Sequence, residues 1–160
     1  MARKYERVTD KIFDNINASG QLFDRIFYEE IRWWRSRFSD CIWNECKFRR
    51  TSFSKETVFS RCTFQNCRFW AQHTYLGGPS RFEGCKFVDC SFKNVQLWNS
   101  KFVRCTFTGS FDNLIFYGPE APLGWQTVLC DVDFCGVRMV DTDFRTGIDL
   151  STTRMPEVQY

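Results

Sequence analysis

Phe59-Ser60-Arg61-Cys62-Thr63-Phe64-Gln65-Asn66-Cys67-Arg68-Phe69 decides the fold. A large aromatic returns every five residues, and a small residue, here cysteine, stands two places before it. Phe82-Glu83-Gly84-Cys85-Lys86-Phe87-Val88-Asp89-Cys90-Ser91-Phe92 repeats the arrangement. A period of five fits neither the 3.6 of a helix nor the 2 of an alternating strand. Fixed-period self-similarity instead signals a solenoid, in which one coil stacks on the next.

Outward from this stretch the beat continues in both directions. One phase runs Phe13, Ala18, Phe23, Tyr28, Trp33, Phe38, Trp43, Phe48, Phe53, and after a one-residue slip Phe59, Phe64, Phe69 follow. Phe82, Phe87, Phe92, Leu97, Phe102 and Phe107 come after a gap, then Phe111 and Phe116 one residue early. A second gap precedes Leu129, Phe134, Met139 and Phe144, and Leu150 and Met155 close the series. Residues 11–35 have a rival reading, because Leu22, Phe23, Ile26, Phe27, Glu30 and Ile31 also fit the spacing of an amphipathic helix. The five-residue beat is favoured, since it runs in register into the segment at Phe38.

The pattern resembles the pentapeptide-repeat family, whose motif puts a small residue two places before a central Leu or Phe. The resemblance covers about residues 11–157. It implies an all-β fold, a right-handed quadrilateral β-helix: each pentapeptide is one side, four make a coil, and both motif positions point inward. Phe and Cys replace the family's usual Ala-Asp/Asn-Leu consensus. Four beats per coil give about six coils, starting at Phe13, Trp33, Phe53, Phe82, Phe102 and Leu129, in a rod of ~30 Å at ~4.8 Å per coil. Residues 1–10 are expected to form a non-repetitive N-terminal cap.

Length and composition set bounds. The chain has 160 residues, enough for one domain with a continuous core. It contains no apolar run long enough for a membrane span, and its first residues lack a secretory signal's apolar segment, so a cytoplasmic location is expected. Of nine cysteines, Cys41, Cys46, Cys62, Cys67, Cys85, Cys90 and Cys105 hold the small motif position. They read as buried reduced thiols rather than a disulfide framework. Charge is uneven: residues 32–104 carry fourteen Lys/Arg against five Asp/Glu, and residues 105–160 carry three against eight.

Two interruptions of thirteen residues, Phe69 to Phe82 and Phe116 to Leu129, imply projecting loops at residues 71–80 and 117–127. Both are expected at one corner, and insertions on a solenoid commonly mark its binding face. The outward positions following the last beat of each coil include Trp70, Trp98 and Tyr117. They read as an aromatic ladder flanked by His73, Tyr75 and Trp125 from the loops, with Arg49, Arg68 and Arg145 beside it. Such exposed aromatics with arginine suit a protein contact; burial under the loops is the alternative.

Chemistry is sparse. His73 is the sole histidine and has no paired nucleophile in sequence, and there is no phosphate-binding loop, nucleophile elbow or dinucleotide fingerprint. No enzyme activity, cofactor or metal is expected. Cys130 and Cys135 near Asp131 and Asp133 would make only a mixed, incomplete metal site. The reading is a non-enzymatic protein-binding module, an immunity-type inhibitor that occludes a toxin or other enzyme, acting as monomer or homodimer. Direct binding to nucleic acid or membrane is not expected. The alternative, which the family resemblance implies, is a DNA mimic that binds type II topoisomerase and protects gyrase from quinolone-type poisons. Family members of that kind are strongly acidic, and this chain is not.

Overall fold

The computed structural model describes residues 4–54, 56–75, 80–97, 99–122 and 126–157, with the backbone alone for 71–75. Every strand pairing is parallel, and the described residues contain no helix. Residues 11–35, open to a helical reading in sequence, are strands: Glu6–Asp14 pairs with Ile26–Trp34, putting Phe13 beside Trp33. The strand begins at Glu6, so residues 6–10 belong to the first coil rather than to a separate cap, with Val8 beside Tyr28.

Four columns of inward side chains define four walls. Phe13, Trp33 and Phe53 line the first. Ala18, Phe38, Phe59, Phe82, Phe102 and Leu129 line the second. The third carries Phe23, Trp43, Phe64, Phe87 and Phe107, and the fourth Tyr28, Phe48, Phe69, Phe92, Phe111 and Met139. The second wall is a six-stranded sheet, which rises through about five turns from its first strand to its last. The other walls merge into one sheet because long strands such as Lys86–Leu97 run around the corners.

A parallel solenoid stacks like on like, so each wall is also a stack of rings. In the third wall Trp43, Phe64, Phe87 and Phe107 lie face to face at 4.7, 4.8 and 4.4 Å between centroids. These spacings match the distance between neighbouring strands, and each pair adds roughly 1 kcal/mol beyond its burial. The small motif positions sort by wall. Cys41, Cys62, Cys85 and Cys105 precede the third-wall rings and Cys46, Cys67 and Cys90 the fourth-wall rings. All seven are buried with free thiols. Each thiol from Cys46 onward lies within donating distance of a ring residue's carbonyl one coil back, as Cys62 does to Phe38 O at 3.4 Å and Cys67 to Trp43 O at 3.3 Å. Before the second-wall rings stand hydroxyls instead: Ser36, Thr57, Ser80, Ser100 and Thr127 are all buried. Ser80 and Ser100 hydrogen-bond to each other at 3.1 Å, and the Thr127 hydroxyl donates to Leu97 O at 2.9 Å.

Most corners turn through left-handed backbone two residues after a ring. Asn15, Asp40, Asn66, Asp89 and Asn94 adopt it with φ of 51–58°, a conformation short polar side chains tolerate. Arg35, Arg50, Arg61 and Arg104 adopt it too, and each holds a carboxylate one coil back: Asp14, Glu30, Asp40 and Glu83. Hydrogen bonding to Arg61 keeps the Asp40 carboxyl below its ordinary range. In the first coil Lys11 and Gln21 are exposed and occupy the motif slots that Ile31 and Cys41 fill one coil on.

The two insertions open at different corners, not at one: the first adds two residues between Trp70 and Thr74, where the fourth wall turns into the first, and the second lies between the first and second walls. Residues 76–79 lie between Tyr75, whose strand pairs with Gln96, and Ser80 of the second wall. Residues 118–126 lie between Tyr117 and Thr127. The coil phase differs from the sequence assignment as well. Phe82 pairs with Phe59, not with the wall of Phe53, because residues 71–75 complete the fourth wall's strand and turn into the first. The second-insertion chain folds back: Glu120 N donates to Thr146 O at 2.8 Å, and Gly118 packs so tightly on Ile148 that a Cβ would reach its backbone at 2.3 Å.

Candidate protein-binding wall

The phase difference divides the expected aromatic ladder. Trp70 lies on the fourth wall between Arg49 and Lys93. Tyr117 lies on the first wall beside Arg145. The two therefore face outward from adjacent walls and not in one column. Trp98 and Trp125 lie outside the described residues, as do the side chains of His73 and Tyr75, whose backbone belongs to the strand Arg68–Tyr75. Of the nine expected contact residues, Arg49, Arg68 and Trp70 share one wall, and Tyr117 and Arg145 share the next. Arg145 also pairs with Asp143 at 2.7 Å.

The fourth wall gathers more than the sequence suggested. Trp70 stacks on Phe27 with centroids 5.6 Å apart and planes 22° from parallel. That contact spans the coil of Lys47 and Arg49, because Phe27 pairs with Lys47 and Arg49 with Trp70. The Arg7 guanidinium lies 4.9 Å over the Phe27 ring and Lys47 Nζ 4.1 Å over Tyr5, both favourable cation–π placements. Glu29 bridges two arginines, accepting from Arg7 at 2.9 Å and Arg49 at 3.2 Å. Tyr5 and Arg7 were not singled out by sequence, Lys47 stood out only as one of several outward basic residues, and Phe27 entered only through its helical spacing. The available signal was Phe27, an apolar residue in an outward column that otherwise carries Arg7, Lys47 and Arg68, and its helical spacing obscured it.

Elsewhere several outer arginines pair with carboxylates of the same chain. Arg25 pairs with Asp24, Arg81 with Glu83 and Arg154 with Asp133, besides the corner pairs already described. Cys135 is exposed and its backbone N–H donates to Asp133 at 2.8 Å. Hydrogen bonding to Asp133, with burial second, pushes the Cys135 thiol pKa up. Among the described residues no three His, Cys, Asp or Glu side chains converge on a metal-sized site, and no helix is long and apolar enough to cross a membrane.

Residues 80–110 match the family described as Pentapeptide repeats, in 8 copies. The five-residue register of the walls agrees with this match. It is similar to the pentapeptide repeat protein MfpA of Mycobacterium tuberculosis, at 29% identity over 114 residues, covering 68% of this chain and 56% of the relative. The chain thus spans little more than half the length of that curated relative. Among solved structures it is similar to QnrB1, a plasmid-mediated fluoroquinolone resistance protein, at TM-score 0.44 and 14% identity, covering 91% of this chain and 82% of that one. It is also similar to the pentapeptide repeat protein Rfr23 from the cyanobacterium Cyanothece 51142, at TM-score 0.43 and 6% identity, covering 93% and 90%. The fold rests on the strand register of this chain, not on these two likenesses.

Proposed function

We propose that this chain is a non-enzymatic protein-binding solenoid that meets its partner through the outer face of the fourth wall. The observation that carries the reading is the cluster of Phe27, Trp70, Lys47 and Arg49 on that face. Aromatic and arginine side chains anchor protein contacts out of proportion to their number, and the core takes its rings from other positions. The test is a photo-crosslinking residue placed at Trp70 and, separately, at Val58 on the second wall. The reading expects one discrete polypeptide to be captured at the first position and none at the second; equal capture at both, or none at either, overturns it.

A second reading is favoured by the similarity to MfpA: action on a type II topoisomerase, the activity that the family resemblance implies. Its charge logic would differ from a DNA mimic's, because corner carboxylates such as Asp40 and Glu83 are paired with arginines. A supercoiling assay with purified gyrase, with and without a quinolone, tests it directly. Unchanged activity and unchanged drug sensitivity would exclude this reading. The immunity reading draws no support from the relatives found.

A further inference from the structure

Carboxylates answer the corner arginines on this surface from one coil away. Lys47 and Arg68 break that pattern. They are directly paired across adjacent coils of the fourth wall, and among the described residues neither forms an ion pair. The neighbours continuing the column are Phe27 on one side and Ser91 on the other. Like charges directly opposite on one sheet face repel and destabilise. Arg81 and Lys101, the comparable stacked cations of the second wall, have Glu83 within 3.1 Å of Arg81. The Lys47–Arg68 pair lacks such a neutralising group.

We propose that Lys47 and Arg68 receive a carboxylate from an acidic segment of a partner protein. This rests on the protein-binding reading and names its chemistry. The same wall already shows how a carboxylate is held: Glu29 lies between Arg7 and Arg49, which come from the coils on either side of it. An incoming carboxylate between Lys47 and Arg68 repeats that bridge and removes the repulsion. An acidic protein segment fits better than a nucleic acid. Base recognition without sequence draws on free ring faces, and here Phe27 and Trp70 are stacked on each other while cations lie over Phe27 and Tyr5.

The experiment measures anisotropy of fluorescent oligoglutamate and, in parallel, of oligothymidylate with the purified protein. Oligoglutamate should bind at low salt and weaken as salt rises. The double variant Lys47→Glu/Arg68→Glu should weaken it roughly tenfold or more, from about 1 kcal/mol per exposed charge. Lys86→Glu/Lys101→Glu changes net charge equally on other walls and should leave affinity within about twofold. Arg68→Glu alone should raise the melting temperature, since it replaces a repulsive pair by an attractive one. Equal losses in both double variants, tighter binding of oligothymidylate, or no oligoglutamate binding would overturn the inference. Crosslinking at Trp70 that persists without oligoglutamate binding removes the acidic partner and leaves the protein-binding reading intact. Absence of any crosslink at Trp70 removes that reading itself.

Discussion

Gly109 lies against Cys90 so closely that a Cβ on the glycine would come 2.0 Å from the Cys90 carbonyl oxygen. The position also has φ of 121°, outside the range L side chains adopt readily. It is where the beat shortens to four residues between Phe107 and Phe111. The fourth-wall stack changes there as well: Phe69 and Phe92 lie face to face at 4.6 Å, whereas Phe111 meets Phe92 edge-on at 90°. Gly109→Ala is expected to cost about 3 kcal/mol, from overlap with backbone that cannot move aside. Denaturant unfolding checks it, and a loss below 1 kcal/mol would show that the short coil adapts.

Phe87 sits at the centre of the third-wall stack, between Phe64 and Phe107. Phe87→Ala should cost about 4 kcal/mol through lost burial and an unfilled cavity. Phe87→Leu keeps most of the volume and should cost about 1.5 kcal/mol. Comparable losses for the two would mean that ring stacking, rather than filling of the tube, dominates.

Two buried threonines should respond oppositely to valine. Thr127 donates to Leu97 O, so Thr127→Val removes that buried bond and should cost about 1 kcal/mol. Thr51 is equally buried, but its hydroxyl has no hydrogen-bond partner among the described residues. Thr51→Val should be neutral or stabilising, and a clear loss in thermal melts would point to a partner for Thr51 outside them.

Thiol titration should separate nine cysteines into two classes. Cys130 and Cys135 should react in the native protein, and the seven core thiols only after unfolding. The thiolate is the reactive form, and the Asp133 contact raises the Cys135 pKa. Its thiolate fraction at neutral pH is therefore reduced and grows as pH climbs. Asp133→Asn should move the rate–pH curve of Cys135 to lower pH; an unmoved curve would show that access alone limits its reaction.

The walls were legible in the sequence because the beat is written in side chains with one physical role. Phe64 and Cys67 could only point inward, since a narrow tube holds one large and one small group per side. The coil phase was not legible across the first insertion, because counting rings from Phe69 to Phe82 hides the wall segment that residues 71–75 supply without a Phe. That single displacement moved Trp70 off the wall of Tyr117. The outward cluster was legible only in part, because Trp70 reaches Phe27 across an intervening coil, and sequence spacing does not report how a surface indole leans.

Lys11 and Gln21 fill slots that hold Ile31 and Cys41 one coil on. A second tube arriving at this end would have to bury an ammonium and an amide against its own rings, at a desolvation cost that open-ended stacking would have to repay at every junction. Replacing them by isoleucine and cysteine should therefore increase self-association through the first coil, which sedimentation velocity would read, and an unchanged sedimentation profile would show that these two side chains do not set it.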